Sequence, residues 1–189
     1  VLATLLGLKK IVSEDSVRRA LKAADEQELS TWLSRHEKDI FDKLLEHQYI
    51  LDIDNTVKPI FGHQEGAEIG YNPKKPGRPS HNFHSYFIGS IRISLGVDVQ
   101  PGKRHSGKCS MPRLWEIIDN LSDEKKPRLI RGDVGYGGDE TMCEAEQRGL
   151  MYLFKLRRTK SVFALFRRYE NAHGWRNTQD GWEAMESEI

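Results

Sequence analysis

The spacing of apolar positions changes along the chain, and the first 47 residues carry it at helical period. In "VSEDSVRRALKAADEQ" Val17, Leu21 and Ala24 share one face, Ser13 stands at an N-cap position, and Glu14 and Asp15 fall in the first turn, where the helix dipole favours acids. In "LSTWLSRHEKDIFDKLLEH" Leu29, Leu33, Ile40 and Leu44 recur at threes and fours beside Trp32, Phe41 and Leu45, which makes a second amphipathic helix with a stripe to bury. These helices read as an N-terminal packing layer or the tail of a further domain, and as amphipathic packing helices in preference to a DNA-reading helix-turn-helix. From residue 49 the period becomes that of strands. "YILDIDNTVKPIF", "HNFHSYFIGS" and "IRISLGVDVQPG" are three of them, the last two separated only near Gly89–Arg92 and therefore antiparallel. A helix at about 110–121 follows, buried through Met111, Leu114, Trp115, Ile118 and Leu121. "PRLIRGDVGYGG" is a short strand ending in a glycine-rich turn. Then come a helix at 139–148, the strand "MYLFKL" and a basic helix at 159–169. The order is strand, strand, strand, helix, strand, helix, strand, helix, behind an N-terminal helical segment. The polar tail gives little signal beyond Trp175 and Trp182, which read as packing anchors.

Composition narrows the class without deciding it. At 189 residues and 38% hydrophobic the chain suits one principal α/β domain with a helical appendage, and no apolar run approaches the roughly 18 residues that span a bilayer. Two isolated cysteines, Cys109 and Cys143, fit a reducing cytoplasm better than a disulfide framework. The net charge of +1 conceals alternating blocks. Residues 58–108 hold eight Lys/Arg against three acids, and 151–169 hold six against none. If folding brings both blocks to one side, they make a surface suited to phosphate backbones.

The chemistry lies in the acids. Residues two apart on a strand share a face, so Asp52, Asp54 and Thr56 project together. Neighbouring carboxylates repel unless compensated, and a hard divalent ion such as Mg²⁺ or Mn²⁺ is a common compensation. Asp133 in "LIRGDVGYGG" follows an apolar strand and precedes glycines that let the backbone turn sharply. Zinc ligation by His81, His84, His105 and Cys109 is disfavoured, because His81 and His84 lie three apart and would face opposite ways on a strand.

Two families share an Asp-x-Asp-x-Thr strand. "LDIDNT" resembles the opening motif of Mg²⁺-dependent phosphatases of the haloacid-dehalogenase type, in which Asp52 would be nucleophile, Asp54 acid/base and Asp133 a metal ligand. That fold continues from the motif strand into helix-linked parallel strands, whereas this chain runs through a Pro/Gly-rich loop into two helix-free strands. The better resemblance rests on three long motifs in order: "LDIDNTVKPIFGHQEGAEIGYNPKKPGRPSH", "RGDVGYGGDE" and "YLFKLRRTKSV" look like the DDE transposases of bacterial insertion sequences. The likeness extends through "SEDSVRRALK" and "GWEAMESE", nearly the whole chain.

The resemblance implies a ribonuclease-H-like mixed sheet, three antiparallel strands then βαβ, over residues 49–169. Residues 1–48 are then an N-terminal helical segment and 170–189 the start of an inserted region. It implies a cytoplasmic enzyme that cuts and joins DNA at terminal inverted repeats and target DNA, as a homo-oligomer, with two Mg²⁺ or Mn²⁺ ions. Asp54 and Asp133 become catalytic acids and metal ligands, and Asp52 an accessory acid. Lys74, Lys75 and Arg78, with Lys155, Arg157, Arg158 and Lys160, would hold DNA phosphates. The family's third acid, a glutamate, follows an insertion, and Glu183, Glu186 and Glu188 fall in a segment resembling that insertion. The chain therefore reads as a fragment, inactive alone for want of that acid. A non-catalytic DNA-binding remnant is the remaining alternative.

Overall fold

The computed structural model describes residues 9–45, 48–104 and 106–186. The chain divides into two compact units, Val1–Leu45 and Glu46–Ile189. The first holds α1 (Glu14–Ala23) and α2 (Glu26–Leu44). Both start on side-chain caps: Ser13 accepts from the Ser16 N–H and Asp25 from the Glu28 N–H, satisfying donors that a helix start leaves orphaned. Burial does not follow amphipathicity here. α1 buries no residue, and Val17, Leu21, Trp32, Leu33 and Ile40 remain exposed, so the stripes predicted to pack are left bare.

The second unit contains β1 (Ile50–Pro59), a short β2 (Glu68–Ile69), β3 (Pro79–Ile88), β4 (Ile93–Pro101), α3 (Ser106–Asp119), β5 (Leu129–Gly137), α4 (Asp139–Gln147), β6 (Met151–Leu156) and α5 (Lys160–Tyr169). A hairpin of β7 (Arg176–Asn177) and β8 (Glu183–Ala184) closes the described chain. Six strands form one mixed sheet in the order β2-β3-β1-β5-β6, with β4 also on β3. β1, β3 and β4 are antiparallel neighbours, whereas β5 pairs parallel with β1, and β6 parallel with β5. No helix intervenes between β1 and β3, which the phosphatase topology would require. The predicted element order is observed, and α3 starts a turn earlier than the apolar period indicated.

Alternation sorts the sheet's side chains cleanly. One face carries Leu51, Ile53, His84, Tyr86, Ile88, Leu95 and Ile130, all buried, and α3 seals it with Met111, Leu114, Trp115 and Ile118. Burying each large side chain is worth about 1.5–3 kcal/mol, so this layer holds the unit together. Tyr86 joins it to α3 by donating to the Ser110 carbonyl at 2.7 Å. Gly96 allows the close approach: a Cβ there would lie 3.0 Å from Ile117 Cδ1. The opposite face holds Asp52, Asp54, Phe87, Val97, Val99, Arg131, Met151, Leu153 and Lys155. Its apolar members stay open, with Val97 55% and Leu153 59% exposed.

Candidate active site

A parallel register brings the strands that carry the acids together. Asp52 is partnered with Arg131 and Ile53 with Gly132, so Asp54 and Asp133 are the next positions on adjoining strands. Paired residues up to that point lie on strands about 4.8 Å apart, so the two acids follow directly on a paired position although they are remote in sequence. Both are exposed.

Local sequence explains how Asp133 is set. Pairing of β5 with β6 is regular up to Gly132 and resumes, shifted, at Gly137, so the backbone bulges where the acid sits. Asp133 Oδ1 accepts the Gly135 N–H at 2.9 Å, which closes a tight turn on the acid's own side chain. The buried ring of Tyr136 then folds back over Gly132. A Cβ at Gly132 would lie 3.0 Å from Tyr136 Cδ2, so the glycine provides the room. Burial raises the Tyr136 phenol well above its ordinary pKa, partly opposed by Ser110, with smaller upward contributions from the charges of Asp133 and Asp54.

Asp52 has a different environment. Arg131 donates to it twice, Nε to Oδ1 at 2.5 Å and Nη2 to Oδ2 at 2.9 Å. This fork bond raises the Arg131 pKa, first through the hydrogen bond and then through charge. The charge beside Asp52 is therefore compensated by a guanidinium. Nothing in the local sequence identifies Arg131 for this role, because its partner is fixed by register alone.

On β3, paired with Asn55 of β1 and on the covered face, lies His84. It is fully buried, neither ring nitrogen has a hydrogen-bond partner, and burial lowers its pKa against the opposing charges of Asp98 and Asp54. His81, three residues earlier, faces the other way and donates through Nε2 to the Glu65 carbonyl at 3.0 Å. His105 lies outside the described residues. Among the described residues no group of three or more His, Cys, Asp or Glu side chains converges to hold a metal ion.

The basic residues are all exposed. Lys74, Lys75 and Arg78 lie in the 61–78 loop that follows β1, and the Arg78 guanidinium stacks 4.4 Å from the Phe61 ring centroid. Lys155 alternates with Met151 and Leu153 and so lies on the bare face with the acids, while Arg157, Arg158 and Lys160 follow the end of β6. β1, β5 and β6 run in the same direction, β1 extending to Pro59 beyond its last pairing with β5 at Ile53 and β6 ending at Leu156. Both basic segments follow strands that run in this direction, as β5 does in reaching Asp133. In the tail, Trp175 donates to the Tyr169 carbonyl at 2.8 Å, but Trp182 is exposed and does not anchor the segment. Glu183 lies on β8, and Glu188 falls outside the described residues.

The family described as transposase DDE domain, group 1, matches residues 1–187. The chain belongs to the DDE transposases. Its sheet is the ribonuclease-H-like arrangement of that class, three antiparallel strands followed by βαβ. No curated protein matches it. Among solved structures, the transposase chain is similar to piggyBac transposase in a synaptic complex with hairpin DNA, at 12% identity and TM-score 0.48, over 85% of this chain and 34% of that one. It is also similar to the HTLV-2 integrase catalytic core domain in complex with magnesium, at 17% identity and TM-score 0.36, over 66% of this chain and 73% of that one. A simian T-cell lymphotropic virus intasome chain matches over 45% of its own length, at 14% identity and TM-score 0.37. The transposase chain thus spans less than half of the piggyBac and intasome chains, and family membership rests on the family match. Among the described residues no helix is long and apolar enough to cross a membrane.

Proposed function

We propose that this transposase chain supplies the first two carboxylates of a metal-dependent site for DNA phosphodiester cleavage and strand transfer, with its basic segments holding the DNA. One observation supports the reading: the parallel register of β1 and β5 runs to Ile53–Gly132, the positions immediately before Asp54 and Asp133, and both basic segments follow strands that run in that same direction. An exposed pair of hard oxygen donors suits Mg²⁺ or Mn²⁺, ions that keep several waters and take few protein ligands. Asp54 and Asp133 would hold the ions, which when bound supply activation of a water or 3′-hydroxyl and stabilisation of the leaving oxygen. Asp52, already held by Arg131, serves as an accessory acid that fixes the charge balance beside Asp54.

Lys74, Lys75, Arg78, Lys155, Arg157, Arg158 and Lys160 contact phosphates of the terminal repeats and target DNA, and the working form in the cytoplasm is a homo-oligomer. In this reading Asp52, Asp54 and Asp133 do not include the family's third acid, and the chain by itself does not complete strand transfer. Three measurements test this. Mn²⁺ titration shows binding that weakens in Asp54→Asn and in Asp133→Asn. Replacing Lys74, Lys75 and Arg78 together by alanine lowers the salt slope of duplex binding by roughly 2.7, about 0.9 for each phosphate no longer neutralised. Metal-dependent turnover of terminal-repeat DNA by this chain, abolished by Asp54→Asn, would overturn the claim of incompleteness. Binding of duplex without any metal affinity would leave a DNA-binding remnant instead.

A further inference from the structure

The 61–78 loop carries a feature that phosphate binding leaves unexplained. Phe61 is 71% exposed and Tyr71 80% exposed, within a segment that also presents Lys74, Lys75 and Arg78. Leaving large rings in water forgoes the burial that normally fixes them inside. This loop nevertheless does not trail free. The Ile60 N–H donates to the Pro79 carbonyl at 2.8 Å, β2 pairs with β3 through Glu68–Ser80 and Ile69–Pro79, and His81 holds the Glu65 carbonyl. Gly70 packs so tightly on Gly102 that a Cβ would lie 1.9 Å from its carbonyl oxygen. Asn72 is buried and accepts the Lys75 N–H at 3.0 Å, and the backbone turns at Gly77 with φ +75°. The rings are thus displayed from a fastened scaffold.

A guanidinium over one face of Phe61 leaves the other face and edge to solvent. Cation, ring and open π-face in sequence is the arrangement that takes a stacked base, and cations beside it select a polyanion that bears such bases. We propose that the 61–78 loop is a base-binding site, in which Phe61, backed by Arg78, and Tyr71 stack on unpaired nucleobases of single-stranded DNA. In duplex DNA the base faces are occupied by their neighbours, so the site distinguishes an opened strand from a closed one. The inference rests on the reading of this chain as DNA-binding and adds that its ligand has splayed bases at this loop.

The test uses the 189-residue chain with two probes: a blunt duplex, and the same duplex ending in about four unpaired nucleotides that include 2-aminopurine. The wild-type chain binds the forked probe about tenfold more tightly, within the range for stacking of one base, and changes the 2-aminopurine emission. Phe61→Leu keeps apolar bulk without a π-face and loses both the preference and the emission change. Its blunt-duplex affinity stays within about twofold and its salt slope is unaltered. Tyr71→Leu loses part of the preference. Lys74→Ala with Lys75→Ala weakens both probes alike. Equal binding of the two probes by the wild-type chain, or a preference retained in Phe61→Leu, overturns the base-binding site while leaving phosphate binding intact. Binding of neither probe overturns the DNA-binding reading together with this one.

Discussion

The two faces of the sheet are built from the same strands and behave in opposite ways. Leu51, Ile53, Tyr86, Ile88 and Ile130 point to the side closed by α3 and disappear from solvent. Residues one position away, Asp52, Asp54, Phe87, Val97 and Arg131, point to a side that nothing among the described residues closes. The first face accounts for the stability of the unit, and the second carries the acids of the proposed site. Parity along a strand decides which a residue joins, so a shift of one residue in β1 would exchange them.

Removing a side chain from each face tests this contrast most strongly. Ile118→Ala, fully buried on α3, costs about 2–5 kcal/mol as a large-to-small core change, while Leu153→Ala on the bare face stays within about 1 kcal/mol. Urea unfolding midpoints measure both, and equal losses would mean that the open face is covered in solution. Arg131→Met comes next. Its fork on Asp52 is part exposed, 51% and 29% for the two side chains, so losing it costs about 1 kcal/mol or less. A cycle with Asp52→Asn isolates the pair, and additive losses would show that the ion pair contributes nothing.

The smallest effect at neutral pH belongs to His84, on the covered side with Asn82, Tyr86 and Asp98, while the charge of Asp54 acts on it from the other face. Its folded pKa lies below the ordinary 6.5 because burial penalises the charge. Above that value folded and unfolded chains are both neutral there, and nothing is lost. As the pH falls through 6.5 the unfolded chain takes up a proton that the folded one resists, and stability declines toward the folded pKa. His84→Gln should therefore match the wild type in pH dependence above about pH 7 and lose less stability on acidification. Parallel curves down to about pH 5 would remove His84 from the account.

Much of the fold is legible in the sequence. The change from helical to strand period at residue 49 marks the start of the sheet unit, and the alternation in β3 assigns its buried residues one by one. Asp54 and Asp133 emerge from motifs, since no local pattern reveals that strands whose paired residues stand 79 positions apart lie together. Arg131 escapes notice for the same reason. β2, β7 and β8 are two-residue pairings, too short for any period to register. The stripes of α1 and α2 are apolar faces, as their period indicates, and Val17, Leu21, Trp32, Leu33 and Ile40 on them are exposed. Amphipathicity states what a helix has available to bury, and it does not supply the partner.

Gly132 carries a consequence for anyone mapping tolerance to substitution along this segment. Positions 132 and 133 should both score as intolerant, yet for unrelated causes: the first gives mere clearance beneath an aromatic ring, the second a carboxylate for the proposed metal site. Trimming residue 136 would therefore suppress a defect at 132 and leave one at 133 untouched, a genetic signature by which the two kinds of intolerance separate.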